Sequence, residues 1–208
     1  DAAFIDAWRA QLTDPALDAA YRARALALPS EKTLAERMQA VDPPALAVAR
    51  DFLRAELGRQ LAAEFRQAFE QNQTPGEYSP APVPAGMRAL KNLALSHLLA
   101  AGEHDAQRLA EQQYERAGNM TDSMAALSAL INYGQGDFPQ EALAAFYDKW
   151  RDNPLVVDKW FALQAAARST TVQTARELMT HPAFTLRTPN RARALIFQFC
   201  LNLSLIHI

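Results

Sequence analysis

Between Leu46 and Phe69 the apolar residues Leu46, Ala49, Leu53, Leu57, Leu61, Phe65 and Phe69 step by three or four. That spacing puts them on one stripe of an α-helix. Arg50, Arg54, Glu56, Arg59 and Arg66 fall off the stripe, so the pattern predicts one long amphipathic helix opening after Pro44. It ends in "QNQTPGEYSPAPVP", whose four prolines and single glycine predict an extended loop. Further helices are predicted over 84–101, 103–117 and 121–133, with Gly102, Gly118 and Gly134 where helix C-terminal glycines belong.

Helix-start signals recur along the chain. Asp14-Pro15, Ser30, Asp42-Pro43-Pro44, Asp137-Phe138-Pro139, Asn153-Pro154 and Thr188-Pro189 each supply a capping oxygen, most beside a proline. Proline's fixed φ suits the first helical position. In "NMTDSMAALSAL" the spacing predicts Thr121 as cap, with Asp122 and Ser123 complementing the helix dipole. The sum is about ten helices of roughly 10 to 28 residues joined mostly by short turns, which implies antiparallel neighbours. The expected fold is all-α, a superhelical array of antiparallel helix pairs of the HEAT or armadillo kind. The repeat period is irregular, so a compact irregular bundle is the alternative.

Composition agrees: glycine is scarce at 7, and runs of Val, Ile and Thr long enough for strands are absent. Acidic residues outnumber basic ones, 23 to 21, and no basic run is interleaved with aromatics. Nucleic acid and anionic membranes are therefore poor partners. No apolar stretch approaches the roughly 20 residues of a membrane span. The single cysteine, Cys200, excludes an internal disulfide and fits a reducing compartment.

Chemistry-bearing motifs are few. His97, His104, His181 and His207 are scattered, and no two lie four apart, so no helix face carries a two-histidine metal site. His97 lies beside an apolar stripe and reads as a core or edge residue. "DKW" occurs at Asp148-Lys149-Trp150 and at Asp158-Lys159-Trp160. Each Trp can pack between helices, or Trp160 and Phe161 can line a concave surface. "TPNRARAL" is the most unusual stretch, because Arg191 and Arg193 sit in a first helical turn, where cations oppose the dipole. Two readings stand: solvated or ion-paired arginines, or an anion site for a peptide carboxylate. The two arginines are about 200° apart around a helix, so at most one faces a given site.

"DPALDAAYRARALALPSEKTLAERMQAVDPPALAVAR", "NMTDSMAALSAL", "LVVDKWFALQA" and "HPAFTLRTPNRARALI" together resemble the C-terminal domain of bacterial aminopeptidase N, the zinc alanyl aminopeptidase family. The resemblance covers nearly the whole chain, up to about Phe199. It implies a helical domain, residues 1–202, that caps the active-site chamber of a cytoplasmic enzyme removing N-terminal amino acids from peptides. It also implies peptide substrates and the preceding catalytic domains as partners. Zinc is implied as cofactor of the full-length enzyme, held by H-E-x-x-H and a distant Glu, with a Gly-Ala-Met-Glu-Asn motif for the substrate amine. Neither motif occurs in these 208 residues, so this chain is expected to bind no zinc and to be inactive alone. The resemblance maps the substrate-facing arginine to Arg193, with Arg191 and Asn190 beside it. A stand-alone helical scaffold that binds a protein or peptide is the rival reading.

The two ends depart from the family pattern. The opening "DAAFIDAW" reads like the middle of a protein, and the last helical hairpins of the family domain are not reached. The final "LSLIHI" is what CTG TCT CTT ATA CAC ATC encodes, the string of a transposase sequencing adapter. Residues 203–208 are accordingly expected to be adapter read-through.

Overall fold

The computed structural model describes residues 2–202, so the adapter reading of residues 203–208 falls outside the described residues. In chain order the helices are α1 (Ala2–Thr13), α2 (Ala19–Ala25), α3 (Glu31–Ala35), α4 (Pro43–Gln60), α5 (Ala62–Gln71), α6 (Pro82–Ala101), α7 (Ala106–Arg116) and α8 (Met120–Tyr133). Then come α9 (Phe138–Trp150), α10 (Pro154–Ala165), α11 (Val172–Thr180), α12 (Pro189–Ala192), a π turn (Arg193–Phe197) and α13 (Gln198–Cys200). No strand occurs among the described residues. None of the helices is long and apolar enough to cross a membrane. The chain divides into two compact units, Asp1–Pro29 with Ala49–Gln135 and Ser30–Val48 with Gly136–Ile208.

Along residues 46–69 the expected stripe is real, but it is cut. Leu61 has φ −119° and ψ 27°, so the single long helix becomes α4 and α5. Leu57, Leu61, Phe65 and Phe69 are buried, whereas Ala49 is exposed and Leu46 and Leu53 are half-buried. Val48 and Phe52, off the stripe, are 69% and 63% exposed. Periodicity marks the apolar face; neighbouring helices decide how much of it is covered.

Helix α6 is the centre of the first unit. Leu90, Ala94, Leu95 and Leu98 are fully buried on it. Two glycines let its neighbours approach. A Cβ on Gly58 would stand 2.2 Å from the His97 carbonyl oxygen, and one on Gly86 would stand 2.7 Å from the Ala20 nitrogen. Backbone cannot yield as a flexible side-chain tip can, so both contacts require glycine.

His97 is a core residue, 1% exposed. Its ring stacks on Phe65 with centroids 4.6 Å apart and meets Trp8 edge-on at 5.7 Å. Its Nδ1 lies 3.2 Å from the Arg54 carbonyl oxygen, a bond that needs the proton on Nδ1. Burial, and then the Arg54 charge, lower its pKa from 6.5 to about 4. The unfolded chain therefore takes up the proton first as pH falls. Stability from neutral His97 is full above pH 6.5 and declines between 6.5 and about 4, by about 3 kcal/mol in all. Urea unfolding of wild type and His97→Gln at pH 7, 5.5 and 4.5 should show a steeper decline for wild type. Parallel declines would refute this.

Several predicted boundaries shift. Asp14-Pro15 starts no helix: residues 14–17 form a turn, and Asp18 caps α2 by accepting from the Tyr21 N–H at 2.7 Å. Asn119, not Thr121, caps α8, because its Oδ1 accepts from the Asp122 N–H at 2.9 Å. An Asn one residue before Met120 has the reach that Thr121, already inside the helix, lacks. Helix α6 starts two residues earlier than expected, at Pro82, and α7 starts at Ala106, after Asp105 at φ 64°. Gly102 takes the left-handed C-cap at φ 70°, while Gly134 is extended at φ −68°. The expected 10-residue helix after Ser30 is only Glu31–Ala35, though Ser30 does cap it.

In the second unit Phe146, Val157, Phe161, Ala165 and Leu195 form the core, contributed by α9, α10 and the π turn. Asn153 caps α10 by accepting from the Val156 N–H, with Pro154 at the first helical position.

Candidate functional site

"TPNRARAL" folds as α12 running into the π turn, in which hydrogen bonds skip one residue further than in an α-helix. Thr188 sits at the N-cap but makes no capping bond. The turn separates the two arginines. Arg191 is 7% exposed and points into the second unit. Its Nε donates to Asp158 Oδ1, its Nη1 to the Ala183 carbonyl and its Nη2 to the Pro154 carbonyl at 3.3 Å. The guanidinium carbon lies 5.2 Å from the centre of the Phe161 ring. Three hydrogen bonds from one planar group thus tie α12 to α10 and to the loop before α12. Arg193 and Asn190 are exposed, and no partner for Arg193 is found among the described residues.

Around the buried guanidinium stands an aromatic cluster. Trp160 meets Tyr147 at 4.9 Å, Phe161 at 4.9 Å and His181 at 5.1 Å, and Phe161 meets Phe184 at 5.8 Å. Trp160 Nε1 donates to the Leu143 carbonyl at 3.0 Å. Trp160 and Phe161, 7% and 0% exposed, are packing residues and do not line a surface, which corrects the concave-face reading. Burial, and then the Arg191 charge, lower the pKa of His181. Sequence reasoning missed Asp158. Its signal was there, an acid in the second "DKW" on the helix that also carries Phe161, but only folding brings it to Arg191.

The other motif, "NMTDSMAALSAL", builds a buried polar network in the first unit. Lys91 Nζ donates to Asp122 Oδ2 at 2.8 Å, and both side chains are almost fully buried. Asn92 donates to Asp122 Oδ1 at 3.0 Å, and Asn119 donates to Oδ2 at 3.0 Å. Gln113 Nε2 reaches Asn92 Oδ1 at 2.7 Å and the Asp122 carbonyl at 3.1 Å. Burial pushes the Asp122 carboxyl up, but the Lys91, Asn119 and Asn92 hydrogen bonds and the Lys91 charge outweigh it and leave its pKa lowered. Asp122, read from sequence as a dipole-complementing cap neighbour, is thus also the anchor of α8 on α6.

Among the described residues no three His, Cys, Asp or Glu side chains converge. His97 is stacked between aromatics, His104 is exposed beside Asp105, and His181 lies in the aromatic cluster.

These features define the class: an all-helical domain in which successive helices build two compact units, each locked by a buried ion pair. The chain belongs to the family described as a domain of unknown function with ARM repeats (DUF3458_C), whose model matches residues 1–207. It is 40% identical to aminopeptidase N of Escherichia coli (strain K12) over 197 residues, which is 93% of this chain and 22% of that protein. It is 39% identical to aminopeptidase N of Caulobacter vibrioides over 200 residues, 94% of this chain and 23% of that protein. A crystal structure of Legionella pneumophila aminopeptidase A in complex with aspartic acid superposes with a TM-score of 0.86 at 28% identity, covering 98% of this chain and 25% of that one. The chain thus spans about a fifth of the length of the curated relatives it matches, and the match is to their C-terminal region.

Proposed function

We propose that residues 1–202 serve as the C-terminal helical domain of a cytoplasmic zinc aminopeptidase, closing the space in which a peptide is held while its N-terminal residue is removed. The observation that carries this reading is 40% identity to an aminopeptidase N across 93% of the chain. Zinc and the groups that bind the substrate amine belong to the rest of the full-length protein; this chain contributes position. On this reading the isolated chain is inactive.

Within the domain, Arg193 and Asn190 are the groups we assign to the far end of the peptide. Arg193 is exposed and lies on a π turn, a feature frequent at functional sites. A guanidinium offers a carboxylate two parallel N–H donors. Arg191, committed to Asp158, acts as a positioning residue that fixes the turn from which Arg193 projects.

Arg193→Ala in the full-length enzyme tests the assignment. KM for tri- and tetrapeptides should rise about tenfold, the worth of a charge-assisted bond near 1.4 kcal/mol, with kcat little changed. Substrates with no terminal carboxylate, such as amino-acid anilides, should be unaffected. An equal effect on both substrate classes, or none on either, rejects Arg193 as the carboxylate contact.

A further inference from the structure

Three cationic side chains are buried among the described residues: Arg88, Lys91 and Arg191. Lys91 is paired with Asp122 and Arg191 with Asp158. Arg88, 3% exposed, has no such partner: among the described residues it forms no ion pair. Its Nη2 donates to the Ser79 carbonyl at 2.7 Å, and its guanidinium lies 4.8 Å from the centre of the Tyr78 ring. Neither neighbour carries a full negative charge. Burying a cation without a counter-charge is expensive, a cost that a bound anion would offset.

Arg88 lines an open pocket of about 440 Å³, within the size range of small-molecule sites. The pocket lies in the first unit, between the loop after α5, helix α6, the end of α7 and the start of α8. Phe69 and Leu109 give it an apolar side, and Arg116 is an exposed second cation on its lining. The same lining holds a second unmet demand. Gln113 Oε1 is buried with no donor among the described residues, although Gln113 Nε2 is engaged by Asn92 and the Asp122 carbonyl. Two carboxylates also line the pocket: Asp122 is paired with Lys91, and Glu77 is exposed and forms no ion pair with Arg88 among the described residues. The Arg88 guanidinium and Gln113 Oε1 are therefore the two buried groups of the site left without a partner of opposite character.

We propose that this pocket binds a free α-amino acid, its carboxylate held by Arg88 and Arg116 and its ammonium group donating to Gln113 Oε1. A zwitterion satisfies both demands with one small molecule, whereas a simple oxyanion satisfies only the first. The site stands on its own residues and does not depend on the aminopeptidase assignment.

The test is calorimetric titration of the intact polypeptide with L-alanine, and separately with acetate and with inorganic phosphate. L-Alanine should bind saturably with a Kd on the order of 1 mM, and acetate at least tenfold more weakly. Arg88→Met and Arg116→Ala should each weaken L-alanine binding about tenfold, with the circular-dichroism melt confirming a folded chain. If Arg88→Met does not fold, Arg116→Ala, altered at an exposed position, decides alone. Absence of saturable L-alanine binding overturns the proposal. So does an affinity unchanged by Arg116→Ala, or phosphate binding more tightly than L-alanine.

Discussion

Arg191→Met should lower the folding stability of the protein by about 3–5 kcal/mol, the range for breaking a buried ion pair by removing one partner. The reason is the charge left behind. Asp158 is mostly buried, with its side chain 15% exposed, and Arg191 is its one ion-pair partner among the described residues. Two backbone carbonyls, of Ala183 and Pro154, lose a donor as well. Arg191→Lys should recover little, since a point ammonium cannot reach three acceptors in a plane. The double variant Arg191→Met/Asp158→Leu should be more stable than Arg191→Met alone, because no charge is stranded. Urea unfolding of the three variants measures this. A loss below 1 kcal/mol for Arg191→Met would mean that Asp158 is solvated and that the guanidinium does not hold the turn. In the full-length enzyme the same substitution should also raise peptide KM, because Arg193 loses its fixed base.

Lys91→Met is expected to have a similar effect in the other unit, again about 3–5 kcal/mol at neutral pH. Asp122 would remain buried, with Asn92 and Asn119 donating to it but without its ion-pair partner. The two losses differ in their pH signature. In the wild type the Asp122 pKa is lowered, so its stabilising contribution is present above the unfolded value of 3.8 and is lost as pH falls through the lower, folded pKa. Without Lys91, burial prevails, the carboxyl pKa rises, and protonation removes the stranded charge. The stability gap between wild type and Lys91→Met should therefore narrow as pH falls from 7 toward 4. A gap that stays constant over that range would show that the ionised carboxylate is not the source of the loss. Equilibrium unfolding at pH 7, 5.5 and 4.5 reads both.

Much of the architecture was legible along the chain because its causes are local. Asn153-Pro154 opens α10 and Gly102 closes α6 because a capping oxygen, a fixed φ and a missing Cβ act within one turn. The failures are also informative. Thr121 and Asn119 both have capping chemistry, and a shift of two residues in helix register chooses between them. Leu61 continues a flawless stripe, yet the helix breaks there.

The candidate sites were legible only in part. "TPNRARAL" stood out because cations in a first turn oppose the dipole, and at most one arginine could face a given site. Which arginine turns inward depends on Asp158, 33 residues away along the chain. Arg88 gave no signal at all: it is one arginine among many until the loop carrying Tyr78 and Ser79 closes over it.

Helix content, several caps and the apolar faces follow from the order of residues, since each rests on spacings within a turn or two. Pairing of Lys91 with Asp122 and of Arg191 with Asp158, and the burial of Arg88 against Tyr78 and Ser79, belong to the tertiary structure. The worth of a charge depends on whether water or another charge surrounds it, and that is decided by which distant segments pack around it.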